Sequence, residues 1–354
     1  MKKIVLTGGG TAGHVTPNIA LVPKLKEKDY EIYYIGSYEG IEKQLITEMG
    51  IPYYGISSGK LRRYIDLKNL SDPFRVLKGY AQASKLLKKL KPDVVFSKGG
   101  FVTVPVVLAA KRRGVPIIIH ESDMTPGLAN KICIPAATKV CHNFPETANH
   151  LPAEKAVLSG SPVREELFAG DREQGLELCG FTNEKPVILV TGGSLGSANI
   201  NEAIRSNLDA ILNNYQVIHL CGKGKAEESL EGKSGYKQFE YAGAEMAHLL
   251  AAANLVISRA GANAICELLA LKVPNILIPL GLSASRGDQI LNANSFGKQG
   301  FSKVIMEEDL TSESLLTAIE DVYTNRQQYV DAMSQSQQLS PVDVIVNLIQ
   351  EVTM

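Results

Sequence analysis

A glycine-rich segment near the start of the chain has the residue types that bind phosphate groups. Gly8, Gly9, Gly10 and Gly13 follow a short apolar run typical of a β-strand, and a helical pattern begins after them. Glycines let the backbone approach a phosphate closely, and the N–H groups and dipole of the following helix stabilise its charge. The segment satisfies the G-x-G-x-x-G pattern, but the second predicted strand ends without the acidic residue that would hold a ribose. An NAD-dependent oxidoreductase is therefore disfavoured, while a phosphate-binding turn and a purely structural turn both stay open.

Two segments of the second half also predict anion sites. Residues 191–197 (TGGSLGS) repeat the glycine-rich pattern after a predicted strand, which favours phosphate binding over a structural turn. A strand ends at Ser258 and a helix begins near Gly261, so Arg259 and the first N–H groups of that helix could meet another anion. Glu267 lies about two turns into the helix, where a glutamate is ordinarily a solvated residue.

The sequence lacks two familiar patterns of metal-binding residues. No Asp-x-Asp motif could hold a divalent ion at a sugar diphosphate, and His120-Glu121 lacks the second histidine of a zinc-protease helix. The other isolated histidines are interpreted as core or surface residues: His142, His150, His219 and His248. We therefore expect no metal and no cofactor.

The order of the predicted elements indicates how these segments are positioned. Short β-rich runs alternate with helical patterns such as 74–90 and 104–111, and Pro341 is expected to start a final helix. This alternation predicts an α/β fold of two doubly wound Rossmann-like domains facing each other across a cleft, with ligands at the carboxyl ends of the strands. The predicted strands are 3–7, 31–35, 53–56, 94–97, 116–119, 139–141 and 156–158, then 187–191, 216–220, 238–241, 255–258, 275–278 and 304–306.

Length and charge also favour two domains. A chain of 354 residues is about two domains long, and Pro162 in the segment 161–164 disfavours both helix and central strand. We predict an N-terminal domain at 1–163 and a C-terminal domain at 164–354, whose last helix could pack on the N-terminal domain. Residues 1–163 hold 23 lysines and arginines against 13 acidic residues, a net charge of +10, and the remainder holds 14 against 24, a net charge of −10. The basic domain is expected to face an anionic partner.

The five cysteines are odd in number and lie in apolar settings, which favours buried, reduced thiols. The first apolar run is far shorter than the core of a signal peptide, and no stretch approaches the ~18 apolar residues of a membrane span. We therefore expect a cytosolic protein. Residues 60–65 (KLRRYI) and 74–78 (FRVLK) mix basic and large apolar side chains, so the basic domain is predicted to dock on an anionic membrane surface as well.

Six motifs together indicate a family. They are GGGTAGH at 8–14, SKGGFVTVPV at 97–106, HESDMTPGLANK at 120–131, SPVR at 161–164, GGSLGSANIN at 192–201, and SRAGANAICE at 258–267, followed by RGDQ at 286–289. In this order, over about residues 4 to 300, the chain resembles the MurG family of GT-B glycosyltransferases. The resemblance implies an inverting transfer of GlcNAc from UDP-GlcNAc to the muramyl sugar of lipid I (undecaprenyl-pyrophosphoryl-MurNAc-pentapeptide). The product is lipid II for peptidoglycan synthesis, which serves cell-wall biogenesis, cell shape, cell division and the cell cycle.

The resemblance also implies roles for individual residues. His14 matches the histidine proposed as general base, Glu267 the acid that holds the uridine ribose, and Gln289 the glutamine that reads the GlcNAc hydroxyls. The other substrate-binding candidates, which contact the donor or the acceptor pyrophosphate, are Thr11, Ala12, Gly13, Asp123, Arg164, Ser194, Arg259, Ala262 and Asn263. An ordinary pKa near 6.5 would let His14 accept the acceptor proton at cytosolic pH, although His14 could instead cap its helix or bind phosphate as a cation.

Two positions depart from the family pattern. The chain has Ser122-Asp123 where many relatives have Gln-Asn, so an amide contact to the sugar becomes a carboxylate. Ala264 stands where many relatives have a threonine near the diphosphate, so that hydroxyl contact is missing. Both changes affect the detail of donor recognition rather than the reaction.

The implied partners are UDP-GlcNAc, lipid I, an anionic membrane surface and other cell-wall synthesis proteins, with no nucleic acid. The implied location is the cytoplasmic side of the cell membrane, with peripheral attachment. Three alternatives remain open: a diacylglycerol glycosyltransferase, a UDP-GlcNAc 2-epimerase, or a non-catalytic nucleotide-sugar binding protein. The motifs at 8–14 and 97–106 discriminate against the two other enzymes, because they resemble the acceptor side of the MurG family.

Overall fold

A computed structural model describes residues 1–59, 72–193, 195–282, 287–336 and 340–354 of the chain. The chain divides into two compact units. Unit 1 comprises Met1–Arg164 and Ser340–Met354, and unit 2 comprises Glu165–Leu339.

Unit 1 is built on a seven-stranded sheet whose paired strands are all parallel. The spatial order is β3-β2-β1-β4-β5-β6-β7. The strands are β1 (Lys2–Thr7), β2 (Tyr30–Ser37), β3 (Tyr53–Ile56), β4 (Val94–Ser97), β5 (Ile117–Glu121), β6 (Lys139–His142) and β7 (Ala156–Leu158). The helices are α1 (Thr16–Glu27), α2 (Ile41–Glu48), α3 (Asp72–Leu90), α4 (Thr103–Arg112), α5 (Leu128–Cys133) and α14 (Pro341–Val352).

Both faces of this sheet are covered, as its continuous apolar strands require. Along β1, Ile4 and Leu6 belong to one core cluster and Val5 to the other, so the strand buries alternate side chains on opposite faces. The last helix of the chain, α14, packs beside α1, and its buried residues Ile345 and Ile349 extend the core on that face. The C-terminal segment thus completes unit 1.

Unit 2 repeats the scheme with a six-stranded parallel sheet in the order β10-β9-β8-β11-β12-β13. Its strands are β8 (Val187–Thr191), β9 (Gln216–Leu220), β10 (Tyr236–Phe239), β11 (Leu255–Ser258), β12 (Asn275–Leu277) and β13 (Lys303–Val304). Its helices are α6 (Arg172–Cys179), α7 (Ala198–Ser206), α8 (Leu208–Leu212), α9 (Met246–Ala252), α10 (Ala262–Leu271), α11 (Asp288–Lys298), α12 (Ser312–Thr324) and α13 (Arg326–Ser334).

Each sheet has one topological switch point, the place where ligands of doubly wound sheets bind. In unit 1 the chain runs outward from β1 in one direction and resumes from β4 in the other, so the switch point lies between the ends of β1 and β4. In unit 2 the equivalent point lies between the ends of β8 and β11. The predicted anion-binding segments follow β1, β8 and β11, which places all three at these two points.

The predicted α/β fold with two Rossmann-like sheets is confirmed, as is the final helix that begins at Pro341. Two strand predictions were displaced. The edge strand β10 covers Tyr236–Phe239 rather than 238–241, and β13 covers Lys303–Val304 rather than 304–306. Both are short edge strands with a single partner, so their register is set by that neighbour rather than by local residue types. All five cysteines are buried, and none forms a disulfide.

Candidate active site

The first glycine loop, residues 8–13, packs backbone against backbone on the loop after β4. Gly9 N–H donates to Gly99 O at 3.3 Å, and a Cβ on Gly100 would lie 2.3 Å from Gly9 O. Gly100 also has a φ of +89°, a conformation that other residues rarely adopt. The close approach of these two loops at the switch point therefore depends on glycine.

His14 ends a short 3₁₀ turn, Ala12–His14, directly after this loop. Its Nδ1 lies 3.0 Å from Gly9 O and 3.2 Å from Thr11 Oγ1. A carbonyl oxygen can only accept, so the hydrogen bond to Gly9 requires a proton on Nδ1. The neutral imidazole consequently keeps its lone pair on Nε2, which is the arrangement a general base needs.

The expectation of an ordinary pKa for His14 is wrong. Burial and the positive charge of Lys98 lower the pKa of His14 to about 4, against raising effects of the hydrogen bond to Gly9 and the charge of Glu42. The side chain is half-buried. At neutral pH the imidazole is therefore uncharged, so the Nε2 lone pair is available to accept a proton.

Sequence reasoning did not single out Lys98, although it lies within the motif at 97–106. It follows β4, is fully buried, and donates from Nζ to Ser122 Oγ. A buried ammonium is costly unless it is hydrogen-bonded or meets an anion. A lysine placed among apolar and glycine residues at a strand end was the signal that could have indicated it.

Glu121 orders the segment that carries Asp123. Its buried carboxyl accepts hydrogen bonds from Asp123 N at 3.0 Å, Gly127 N at 3.0 Å and Asn130 Nδ2 at 2.8 Å. Burial raises the pKa of Glu121 despite these bonds. Asp123 is half-buried in the loop fixed in this way, while Thr11 and Ala12 are exposed and Gly13 is half-buried.

The second glycine loop, residues 192–197, joins β8 to α7. Gly193 and Gly196 have φ values of +83° and +66°, and a Cβ on Gly196 would lie 2.0 Å from Cys221 O. Ser197 accepts from Ile200 N at 3.4 Å and so caps the N-terminus of α7. Ser194, the predicted donor-binding serine of this loop, lies outside the described residues.

Arg259 lies at the predicted place but turns its guanidinium inward. It donates to Ile278 O at 3.1 Å, Pro279 O at 3.2 Å and Ser197 Oγ at 2.7 Å, and it forms an ion pair with Glu307. In this arrangement Arg259 connects the end of β11 with the segment after β12 and with the start of α7. Direct substrate contact by Arg259 stays a prediction.

Glu307 is the partner that sequence reasoning missed. Its side chain also accepts from Asn199 Nδ2 at 2.9 Å and Gly281 N at 3.1 Å. Burial opposes ionisation, but the hydrogen bonds from Arg259 and Gly281 hold the pKa of Glu307 below its usual range. No local pattern singled it out, because Glu307-Glu308-Asp309 reads as a solvated acidic run.

The helix α10 presents three of the predicted donor-binding residues. Its N-cap is Gly261, which has no side chain to cap the helix, and Ala262 is buried in its first turn. Asn263 and Glu267 are half-buried and four residues apart, so they lie on one face of the helix. On α11, Gln289 Oε1 accepts from Leu280 N at 3.0 Å, which leaves the amide nitrogen as the end that can reach a ligand.

Arg164 is half-buried at the end of unit 1, and its Nε is buried without a hydrogen-bond partner among the described residues. Donor contact by Arg164 stays a prediction from the resemblance. Within the same residues, no cluster of three or more His, Cys, Asp or Glu could hold a metal ion. No helix there has the length and apolar character needed to cross a bilayer.

Comparison with known proteins identifies the family. Residues 4–142 match the glycosyltransferase family 28 N-terminal domain, and residues 187–349 match the glycosyltransferase family 28 C-terminal domain. The chain belongs to glycosyltransferase family 28. The two matched regions contain β1–β6 and β8–β13, and with them both glycine loops of this family 28 protein.

Individual relatives of this family 28 chain are similar over its whole length. It is 66% identical over 354 residues, all of both chains, to the UDP-N-acetylglucosamine--N-acetylmuramyl-(pentapeptide) pyrophosphoryl-undecaprenol N-acetylglucosamine transferase of Lachnoclostridium phytofermentans. It is 64% identical over 351 residues, 99% of each chain, to the protein of the same name from Lachnospira eligens. The crystal structure of Acinetobacter baumannii MurG superposes with a TM-score of 0.78 at 28% identity, covering 99% of this chain and 100% of that one.

Proposed function

We propose that this chain transfers GlcNAc from UDP-GlcNAc to the muramyl sugar of lipid I, with inversion, to form lipid II for peptidoglycan synthesis. The observation that carries the proposal is the identity of 64–66%, over 99–100% of the chain, with transferases named for this reaction. A 2-epimerase or a diacylglycerol glycosyltransferase is not favoured, because neither these relatives nor the acceptor-side motifs point to one. The relatives named as transferases argue against a protein that only binds nucleotide sugars.

Unit 1 would supply the base in this reaction. The acceptor hydroxyl loses its proton as it attacks the anomeric carbon, and Nε2 of His14 carries the lone pair that can take it. In unit 2 the N-terminus of α10 would stabilise the diphosphate, Glu267 would accept the ribose hydroxyl protons, and Gln289 would bind the sugar. The second glycine loop would meet the charge that develops on the leaving UDP, and donor contact by Arg164 stays a prediction.

The direct test is to mix the purified protein with UDP-GlcNAc and a short-chain lipid I analogue. Formation of the disaccharide product, together with release of UDP, supports the proposal. Release of UDP or free sugar without disaccharide, or formation of an epimerised sugar, would contradict it.

Glu267→Ala is expected to weaken UDP binding by more than about tenfold and to leave the fold intact. Hydrogen bonds to a charged acceptor are worth about 1.5–3 kcal/mol each, and the ribose would lose two of them. Calorimetric titration with UDP measures the change. Glu320→Ala is the matched control, because Glu320 is an exposed glutamate inside α12 of the same unit. Equal UDP affinities for the two variants would remove Glu267 from the site.

The proposal includes peripheral attachment of unit 1 to the cytoplasmic face of an anionic membrane. At the start of α3, Phe74 and Leu77 are 73% and 65% exposed, and Arg75 and Lys78 beside them are exposed as well. Large apolar side chains flanked by cations suit an interface between lipid headgroups and acyl chains. The other predicted segment, residues 60–65, lies outside the described residues. Binding to other cell-wall synthesis proteins stays a prediction from the resemblance.

The double substitution Phe74→Ser with Leu77→Ser is expected to weaken binding to phosphatidylglycerol vesicles by at least about tenfold. Burying each side chain in the interface is worth up to about 1.5–3 kcal/mol, and serine removes that gain while keeping the charges. Co-sedimentation at low and high salt measures the change. Tyr241→Ser, which removes a 72% exposed apolar residue of unit 2, is the control and should bind like the wild type. Unchanged vesicle binding by the double variant would assign membrane attachment to another surface.

A further inference from the structure

A buried carboxyl group lies beneath the first glycine loop. Glu42 belongs to the first turn of α2 and is 0% exposed. Its Oε1 accepts from Ser37 N at 3.1 Å and Ser37 Oγ at 2.5 Å, and its Oε2 accepts from Gly10 N at 3.3 Å. The end of β2 carries no acidic residue, as the sequence indicated, but the following helix brings a carboxyl group to that place. None of the proposed substrate contacts involves it.

Several glycines fit around this carboxyl group. A Cβ on Gly9 would lie 2.4 Å from Glu42 Oε1, one on Gly40 would lie 2.1 Å from Oε2, and one on Gly36 would lie 2.9 Å from Glu42 Cγ. The first glycine loop and the β2–α2 region thus both lack side chains where Glu42 lies. The carboxyl group is therefore packed against the first glycine loop, and its position is fixed from several sides.

One peptide unit connects Glu42 to His14. The Gly9 carbonyl and the Gly10 N–H belong to the same planar peptide, so turning one group turns the other. Glu42 Oε2 accepts from the N–H at 3.3 Å, and His14 Nδ1 donates to the carbonyl at 3.0 Å. Hydrogen bonds in such a chain polarise one another, which strengthens the acceptor that His14 meets.

We propose that Glu42 is a positioning residue: through the Gly9–Gly10 peptide it holds the carbonyl that fixes His14 as the Nδ1–H tautomer, with Nε2 as proton acceptor. The catalytic consequence rests on the proposed transferase function, whereas the effect on the tautomer does not. In a catalytic triad a carboxylate contacts the histidine directly. Here a peptide unit lies between the carboxyl group and the histidine.

Glutamine cannot replace Glu42 in this role. Backbone N–H groups approach both carboxyl oxygens, Ser37 N at Oε1 and Gly10 N at Oε2. An amide has one oxygen and one NH₂ group, so in either orientation one backbone N–H faces another donor. Oxygen placed toward Ser37 leaves Gly10 without an acceptor and frees the Gly9–Gly10 peptide to turn. Oxygen placed toward Gly10 gives up two hydrogen bonds, those from Ser37 N and Ser37 Oγ, so the first orientation is favoured.

The experiment compares the wild type with Glu42→Gln and Ser37→Ala, all with ¹⁵N-labelled histidine. Two-bond ¹H–¹⁵N spectra report the tautomer of His14 without substrate, and steady-state kinetics report kcat and KM. In Glu42→Gln we expect the Nε2–H tautomer to appear. We also expect kcat to fall about tenfold, with little change in KM for UDP-GlcNAc, because part of the 10²–10⁴-fold rate contribution of a general base is lost. Ser37→Ala removes a hydrogen bond to the same carboxyl group but not the link to Gly10, so its tautomer and kcat should match the wild type.

A merely structural role predicts equal losses in the two variants and no change in tautomer, and that result would overturn the proposal. If Glu42→Gln does not fold, Glu42→Asp retains the charge but retracts the carboxyl group by about 1.5 Å. The same change in tautomer is then expected, and an unchanged tautomer in a folded Glu42→Asp protein would likewise overturn it. The wild type could lack transferase activity while the tautomer still changes in the Glu42 variants. That result would support the positioning role and contradict the proposed function.

Discussion

His14→Ala is expected to lower kcat at least about a hundredfold, with little change in KM for UDP-GlcNAc. A positioned general base contributes about 10²–10⁴-fold, and the loss should fall on kcat because the proton moves only in the transition state. The hydrogen bond to Gly9 O at 3.0 Å leaves Nε2 as the only nitrogen of His14 that can accept a proton. Transfer to the lipid I analogue under saturating donor measures the effect.

His150→Ala is the matched control, since His150 is an exposed histidine of the same unit. Its kcat should equal that of the wild type. If His14→Ala keeps a kcat within about tenfold of the wild type, water or another group takes the proton.

The pH dependence of kcat/KM provides a second check on His14, because it reports the pKa values of the free enzyme. Burial and the charge of Lys98 lower the pKa of His14 to about 4, partly offset by Gly9 and the charge of Glu42. The acid limb of the wild-type profile should therefore lie near pH 4, and kcat/KM should be flat through pH 6.5. A limb centred at pH 6.5 would indicate a solvated imidazole and contradict the half-buried position of His14.

The fold and the placement of the site could be predicted because both depend on local patterns. Apolar runs of three or four residues, followed within two residues by glycine or serine, predicted β1, β8 and β11 together with the loops after them. A parallel doubly wound sheet then places such loops at its carboxyl edge whatever the rest of the sequence is. The edge strands β10 and β13 were displaced because a single neighbouring strand determines their register.

The interactions that hold the site could not be predicted, because each joins residues far apart in the sequence. Glu42 meets Gly10 across 32 positions, and Glu307 meets Arg259 across 48. In the sequence, Glu42 looks like an ordinary first-turn helix residue and Glu307 like a solvated acid. Only the fold brings each carboxyl group to its buried position, where it accepts hydrogen bonds from Gly10 and Arg259 respectively.

The glycines of the first loop show why a motif alone is weak evidence for a ligand. Close approach to a phosphate was the predicted reason for them. In the structure, Gly9 makes room for the Glu42 carboxyl group and Gly100 for the Gly9 carbonyl oxygen. These internal requirements would select glycine even without a phosphate. The function is therefore carried by the combination of motifs and by the relatives, not by the G-x-G-x-x-G pattern.

Glu307→Ala is expected to lower the free energy of unfolding of unit 2 by about 3–5 kcal/mol, because it leaves the buried guanidinium of Arg259 without its counter-ion. The side chains of Arg259 and Glu307 are only 10% and 13% exposed, so water can compensate little. Denaturant-induced unfolding measures the change. Glu308→Ala, at the exposed neighbouring position, is the control and should change stability by less than about 0.5 kcal/mol.

The pH dependence of stability distinguishes this ion pair from simple packing. The pKa of Glu307 is lower in the folded protein than its usual value, since the hydrogen bonds from Arg259 and Gly281 outweigh burial. Its contribution to stability is therefore complete above the usual glutamate pKa and is lost as pH falls through the lowered folded value. Glu307→Ala should thus differ most from the wild type at neutral pH and converge with it in acid. A difference that is constant with pH would mean that lost packing, and not the charge facing Arg259, accounts for the change.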